Sequence, residues 1–369
     1  MTTVVRPDRD PIVPLQFLRG LAASGVVLEH LFDRYKRRGV MPEGVPELLG
    51  NLGQTGVATF FAISGFIMVY ISLRSGQAPQ GGLAFLRGRY LRIAPLYYLT
   101  TILMVVFAWA TSGARADPNY RLPTATEWVL SAAFVPHRGA KGVIQPIYEL
   151  GWTLHYEMFF YLLFAIGLSL FARRGAYLTL GLLALLVAIG TRIGAPPDVV
   201  GPRVLAYVFT RPIVVYFGIG IAVALLRDRL SRQFPALPVP ILIVTLAAAL
   251  IVASLDISEL MTMIAVAIAL VVTVLPWRAS GKPGRVSAFS RAFGDASYSI
   301  YLTHSFLLGA FAAATASIAA RGLPALAAMG LLSCLLCFAV GWLTWRLVET
   351  PIGNRIRGRR PTEIDRTAP

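Results

Sequence analysis

The sequence predicts an all-α fold, a polytopic bundle of about ten transmembrane helices. First, the 369 residues are 56% hydrophobic and only 14% charged, whereas a soluble domain averages about 25% charged residues. Second, the mean hydropathy is +0.66. Third, apolar runs close to the roughly 20 residues that cross a bilayer recur along the chain. These runs cover residues 15–34, 55–73, 94–112, 148–171, 177–193, 204–226, 239–255, 258–275, 297–319 and 324–348.

Basic residues in the connections predict the orientation of these spans. With the N-terminus inside, 20 of the 34 lysines and arginines fall on the inner side and 12 on the outer side, two lying within spans. The positive-inside rule therefore favours a multi-pass protein with both termini in the cytoplasm, although the basic segment 34–38 opposes it. The net charge of +16 is explained by this topology and by anionic lipid, so we expect no nucleic-acid partner.

The first run combines an apolar helix with ionisable side chains. Arg19, Glu29 and His30 lie within or beside it, and a charged side chain in a bilayer costs about 2.5–3.5 kcal/mol on insertion scales. Eleven residues make about three helical turns, so Arg19 and His30 share one face, about 16 Å apart along the axis. This helix is predicted to carry a cation at one end and a titratable imidazole near mid-membrane.

The second and third runs contain a serine and an arginine pair. Ser64 precedes Gly65, which favours close helix approach, and the absence of a GxSxG motif argues against a nucleophilic serine. Arg89 and Arg92 lie three residues apart where the third run begins. Two guanidiniums there suit a phosphorylated ligand, although a topology signal explains them equally well. No Walker or Rossmann glycine motif is present.

The connection before the fourth run is the longest on the outer side, at about residues 113–147. It contains the amphipathic segment ATEWVLSAAF, which could lie at the interface or re-enter. In the fourth run, His155 and Glu157 are two residues apart and so point in roughly opposite directions on a helix. We favour Glu157 as the functional residue, with Trp152 and Tyr161 beside it on one face.

The later runs contribute a histidine and two cysteines. A lone intramembrane histidine is often a hydrogen-bonded packing residue, but His304 is the third in a span, together with His30 and His155, which favours a polar cavity. Cys334 and Cys337 lack further ligands nearby, so we predict helix packing and no metal site. We see no cleavable signal, repeat or appended soluble domain, and interpret residues 1–369 as one domain.

Several segments, in order and over about residues 15–353, resemble the acyltransferase-3 membrane proteins, which O-acylate sugars of envelope and exported polysaccharides. They are LQFLRGLAASGVVLEH, TFFAISGFIM, RYLRIAPLYY, GWTLHYEMFFYLLF, YSIYLTHSFLL and LVETPIG. The first is most similar to the exopolysaccharide-acetylating branch. Glu29 departs from the family pattern, in which an aromatic or aliphatic residue usually precedes the histidine. It could act on the His30 pKa or face elsewhere.

The resemblance implies an acyl-CoA-dependent O-acyltransferase of the inner (plasma) membrane. It would move an acyl group, expected to be acetyl, from cytoplasmic acyl-CoA to a hydroxyl of an exported or envelope polysaccharide or its lipid-linked precursor. Membrane lipid and the polysaccharide synthesis machinery are expected partners. Acyl-CoA would be the donor substrate, and no bound cofactor is implied.

The resemblance also implies roles for individual residues. Arg19, Arg89 and Arg92 would bind acyl-CoA, and His30 would act as the general base, a role that suits an imidazole neutral near pH 7. Glu157 would orient His30 or bind the sugar. The expected pocket-lining residues are Ser64, Trp152, Tyr161, Tyr301 and His304. The sequence leaves open direct transfer or an acyl-enzyme relay.

Two other classes of function compete with the enzyme. Ten spans with buried charges also suit a secondary transporter or an exporter of a lipid-linked sugar. Against it, we find no half-to-half repeat and no matched pair of broken helices. A structural partner of a polysaccharide synthase is the third possibility, and the joint presence of Arg19, His30, Arg89, Arg92 and Glu157 argues against it.

Overall fold

The computed structural model describes residues 12–41, 51–73, 81–115, 121–139, 142–193, 201–233, 239–255, 258–275 and 285–356. Within these ranges the chain is helical, and the only strand-like pairing is one bridge between Arg138 and Ile144. The predicted all-α class is therefore confirmed. Both chain ends lie outside the described residues, so their cytoplasmic placement stays a prediction.

The described residues form fourteen α-helices. They are α1 (Val13–Arg37), α2 (Leu52–Leu73), α3 (Gly82–Arg115), α4 (Ala125–Ala132), α5 (Trp152–Phe171), α6 (Gly175–Gly190), α7 (Pro202–Phe209), α8 (Val215–Gln233), α9 (Val239–Ser254), α10 (Glu259–Val274), α11 (Arg285–Asp295), α12 (Ser297–Ala319), α13 (Leu323–Thr344) and α14 (Thr350–Ile356). Short 3-10 turns cover Glu149–Gly151, Ala172–Arg174 and Pro212–Val214, and a π-helical turn covers Trp345–Glu349.

A helix coincides with each of the ten predicted runs, but fewer meet the length and hydropathy of a span. Within the described ranges, five helical stretches do so, or six if α7 and α8, bent by 52°, count as one. Helices α9 and α10 have 16 residues each, about 24 Å, which is shorter than the roughly 30 Å hydrocarbon core. The structure thus supports a membrane-spanning helix bundle, while the predicted number of ten is not confirmed.

The longest apolar stretch, Glu149–Gly190, is divided by a sharp reversal. Ala172 adopts a φ of 47°, and a Cβ built on Gly175 would lie 2.2 Å from the carbonyl oxygen of Gly167. In a straight helix these two residues would be about 12 Å apart. The chain therefore folds back at Ala172, and α5 packs against α6.

Helix α2 lies between α1 and α8, and glycines allow the close approach. A Cβ on Gly56 would lie 2.4 Å from the carbonyl oxygen of Ala22 in α1, and one on Gly65 would lie 2.2 Å from the carbonyl oxygen of Phe217 in α8. Small residues permit such backbone contact in membrane bundles. The close approach predicted at Gly65 is confirmed, and the neighbouring Ser64 is buried.

The amphipathic segment of the long connection forms the short helix α4. Thr124 and Glu127 form a capping box at its N-terminus, which satisfies two otherwise unpaired N–H groups. Both carboxylate oxygens of Glu127 accept hydrogen bonds from Arg121 at 2.8 Å. The Arg121 guanidinium holds the pKa of Glu127 down at about 2. This arrangement fixes where α4 begins.

Candidate active site

A narrow cavity of about 100 Å³ opens between α1, α2, α3, α5 and α12. Seven of the ten residues singled out from the sequence line it: Arg19, Ser64, Arg89, Arg92, Glu157, Tyr161 and Tyr301. They come from five helices that are far apart along the chain. We call this space the arginine cavity.

Two of its three arginines lie one turn apart on α3. The guanidinium carbon of Arg89 lies 5.6 Å from the ring centroid of Phe85 and 5.9 Å from that of Tyr161. Such cation–π contacts hold the guanidinium against the aromatic wall of the cavity. Arg92 is half-buried on the next turn and lines the same cavity. The pair is thus positioned for a polyanionic ligand.

The third arginine reaches the cavity from α1. Arg19 Nη1 donates to Gln16 Oε1 at 2.9 Å, and Gln16 Nε2 donates to Asp295 Oδ1 at 3.0 Å. Asp295, Glu349 and Arg92 are close enough to Arg19 to act on it electrostatically. Among the described residues, neither Arg19 nor Arg92 forms an ion pair. Both guanidiniums are half-buried, and Asp295 and Glu349 offset part of their charge, so an anionic ligand would be held here mainly through guanidinium N–H groups.

Glu157 lies on α5 and lines the arginine cavity. Its Oε1 atom accepts a hydrogen bond from the Tyr161 hydroxyl one turn later and another from Ser64 Oγ at 3.4 Å. The hydrogen-bond partners of Glu157 therefore lie in the arginine cavity, and the structure does not join Glu157 to His30. The predicted alternative in which Glu157 orients His30 is not supported by this geometry.

His30 instead contacts another histidine. His30 Nδ1 and His304 Nε2 are 3.3 Å apart, and the two rings meet edge to face with their centroids 5.0 Å apart. His304 is fully buried, and its Nδ1 atom lies 3.2 Å from the carbonyl oxygen of Ile300. Both nitrogens of His304 thus have a partner, and one of them is His30.

The surroundings of His30 are charged on one side. Asp33, Arg34 and Arg37 follow it on α1, and Glu149 approaches from the segment before α5. Arg34 Nη1 donates to the main-chain carbonyl of His30 at 3.0 Å. His30 is only half-buried, so this imidazole, unlike that of His304, remains accessible.

Tyr301 lies between the arginine cavity and the histidine pair. Its ring lines the cavity, and its centroid is 6.1 Å from that of His304 and 6.4 Å from that of Phe60. Its hydroxyl donates to the Leu150 carbonyl at 2.9 Å and lies 3.0 Å from Thr153 Oγ1. The arginine cavity therefore ends at Tyr301, and neither His30 nor His304 lines it.

Two predictions about pocket residues are corrected. His304 is not pocket-lining, because it is enclosed behind Tyr301. Trp152 does not share a face with Glu157, since five residues rotate a helix by about 140° from the starting direction. Trp152 is 36% exposed and lines a second, separate cavity.

Other polar residues of the spans have local roles. Glu29 faces away from His30, because its Oε2 atom accepts the main-chain N–H of Gly53 at 2.6 Å. His155 is buried outside the arginine cavity, as its opposition to Glu157 predicted. Cys334 and Cys337 are free thiols, and no metal-binding group of three or more side chains occurs among the described residues.

Sequence reasoning assigned no role to two carboxylates near Arg19, although Glu349 lies in the LVETPIG segment that resembles the family. Asp295 ends α11, and Glu349 is brought inward by the π-helical turn, where it accepts a hydrogen bond from Ser299 Oγ at 2.6 Å. The Gln16–Arg19 spacing of three residues was the one signal available for the link to Asp295. The π-helical turn has no comparable signal in the sequence.

These features define a class: a polytopic helical membrane protein with an arginine-lined internal cavity and a histidine pair, one member of which is buried. The chain matches the family described as "Acyltransferase domain" over residues 13–346 and belongs to this acyltransferase-3 family. It is similar to the exopolysaccharide production protein ExoZ of Rhizobium meliloti (strain 1021), with 37% identity over 320 residues, 85% of this chain and 93% of the relative. No solved structure matches it. The roles of individual residues stay predictions.

Proposed function

We propose that this protein is an inner-membrane O-acyltransferase that transfers acetyl from cytoplasmic acetyl-CoA to a hydroxyl of an exported polysaccharide or its lipid-linked precursor. One observation carries the proposal: Arg19, Arg89 and Arg92 converge on one cavity in a chain of the acyltransferase family. The name of the relative ExoZ supports a role in exopolysaccharide production. The family membership favours this function over a transporter.

The shape of the arginine cavity suggests how the donor binds. Ligand pockets usually enclose about 300–1,000 Å³, whereas this cavity holds about 100 Å³. The nucleotide phosphates would therefore stay at the arginines, where guanidinium forks match phosphate oxygens. Only the narrow thioester arm would enter. Because the cavity ends at the buried Tyr301, this side chain would have to move aside for the arm to reach His30. Arg19 and His30 are about 16 Å apart along α1, which sets the distance that the arm has to cover.

The histidine pair prepares His30 to act as the base. A carbonyl oxygen only accepts hydrogen bonds, so His304 Nδ1 carries the proton that is shared with the Ile300 carbonyl. A neutral imidazole has one N–H, so His304 Nε2 accepts, and His30 Nδ1–H donates to it. The lone pair of His30 is then on Nε2. We assign His304 as a positioning residue that fixes this tautomer.

The proposed reaction is a direct acyl transfer in which His30 Nε2 takes the proton of the sugar hydroxyl as the oxygen attacks the thioester carbonyl. The C–S bond then breaks, and the protonated His30 returns the proton to the departing thiolate. The products are an O-acetyl ester and free CoA thiol. A positioned general base contributes about 10²–10⁴ in rate. Glu157, bonded to Tyr161 and Ser64, would shape the path of the arm.

The test is release of free thiol from acetyl-CoA by the purified protein in detergent, with polysaccharide stripped of its ester groups as acceptor. We expect thiol release to be matched by O-acetyl signals in the NMR spectrum of the glycan. His30→Ala should abolish both while the protein elutes as the wild type does on gel filtration. A transporter would release no thiol, and that result would reject the proposal.

A further inference from the structure

A second cavity lies apart from the arginines. It encloses about 300 Å³, the lower end of the range for ligand pockets. It forms where α2, α5, α8 and α10 begin and α9 ends. Its polar and aromatic lining residues include Asn51, Gln54, Trp152, Tyr216, Glu259 and Thr262. We infer that this cavity binds the sugar acceptor, an inference that rests on the proposed function.

The lining offers unused hydrogen-bonding groups beside aromatic surfaces. Within the part of the chain that the structure describes, the side chains of Gln54, Trp152, Tyr216 and Glu259 make no hydrogen bond to another protein group. Their amide, indole N–H, phenol and carboxylate can donate to or accept from hydroxyl groups. The Trp152 indole, 36% exposed, offers a flat face with a polar edge. A pyranose ring has the matching surfaces, with apolar C–H faces and a rim of hydroxyls.

The charge of this cavity argues against a phosphorylated ligand. No lysine or arginine is among its described lining residues, and Glu259 contributes a carboxylate. A phosphate or a phospholipid headgroup would meet repulsion here, whereas the arginine cavity attracts it. The charge of the arginine cavity thus suits a polyanionic donor, and that of the second cavity suits a neutral polyhydroxylated acceptor.

The second cavity also lies at the level of His30. The Gly53 N–H bonds to Glu29, the residue before His30, and Gln54 follows Gly53 directly in the cavity wall. Val57 lines both cavities. The cavity wall therefore lies at the height of the proposed base along α1, next to the arginine cavity with which it shares Val57.

The experiment measures separate KM values for acceptor and donor, with de-esterified oligosaccharides from the bacterium's own exported polysaccharide as acceptor. Trp152→Ala should raise the acceptor KM by about tenfold or more, on the order of 1.4 kcal/mol, and shift the acetyl-CoA KM by less than about twofold. Trp152→Phe, which keeps an aromatic face, should recover most of the loss. The matched control is Trp109→Ala, because Trp109 is 62% exposed on α3 and lines neither cavity; it should change neither KM.

A direct binding measurement tests this inference separately from the proposed function. Saturation-transfer NMR should show the oligosaccharide bound to wild type and lost in Glu259→Gln and Trp152→Ala, even in a protein that releases no thiol. Competition by glycerol phosphate at equal concentration would overturn the inference in favour of a lipid headgroup. If both variants release thiol, bind the oligosaccharide and keep the wild-type acceptor KM, the inference is overturned while the proposed function stands.

Discussion

Replacing His304 tests whether one histidine positions the other. His304→Leu removes the acceptor for His30 Nδ1–H but keeps the base and an apolar volume. The lost contact is a single hydrogen bond of 3.3 Å between two neutral rings, worth about 0.5–1.5 kcal/mol. We therefore expect kcat to fall roughly 2- to 12-fold. Loss of the base in His30→Ala should cost far more, about 10²–10⁴.

The assay is thiol release across a range of pH, with His304→Gln as the rescue variant. The glutamine carbonyl accepts the same hydrogen bond, so His304→Gln should be faster than His304→Leu. The acid limb of the pH profile should persist in both His304 variants, because the titrating base is still present. Nitrogen NMR of the histidines should show His30 protonated at Nδ1 in wild type. Loss of activity as deep as in His30→Ala, or glutamine no better than leucine, would refute the positioning role.

Two further predictions concern arginines. Arg89→Ala or Arg92→Ala should raise the acetyl-CoA KM more than about tenfold, since a lost charge-assisted hydrogen bond costs roughly 1.5–3 kcal/mol. The matched control is Arg87→Ala, because Arg87 is exposed on the same helix. An equal rise of the acetyl-CoA KM in all three variants would mean that Arg89 and Arg92 serve only as a topology signal. The second prediction concerns the pair of Arg121 and Glu127, in which the pKa of Glu127 is lowered from 4.5 to about 2. The pair therefore stabilises the folded protein fully above about pH 4.5, and this stabilisation is lost as the pH falls towards 2. Glu127→Gln should therefore lower Tm in detergent at neutral pH, and this difference should narrow on acidification. A constant difference would contradict it.

The residues of the arginine cavity could be predicted from sequence because a charge in an apolar run is costly. Arg19 and Glu157 stand out on that ground alone, and the spacing of Arg89 and Arg92 places both on one side of a helix. The structure brings all four to one cavity. Here the cost of desolvation makes a residue conspicuous before any tertiary contact is known.

Contacts between distant helices could not be predicted in the same way. His30 and His304 are 274 residues apart, and their pairing depends on how α1 packs against α12. Periodicity within one helix carries no information on that packing. Trp152 shows a related failure, because it is close to Glu157 in sequence yet lines the other cavity. The reversal at Ala172 likewise depends on one positive φ angle.

The two cavities differ in charge, and this difference gives a physical reason why the histidine pair lies outside the arginine cavity. A polyanionic donor and an uncharged acceptor need opposite environments, and one shared pocket would have to solvate both. Here the arginine cavity ends at Tyr301, and the second cavity, which contains Glu259, begins on the other side of Val57. His30 lies on the same continuous helix as Arg19. Because α1 is one continuous helix and about 16 Å separates Arg19 from His30 along it, donor phosphates at the arginines would remain distant from the base. In the proposed reaction the thioester arm, and not the nucleotide, is what meets the sugar.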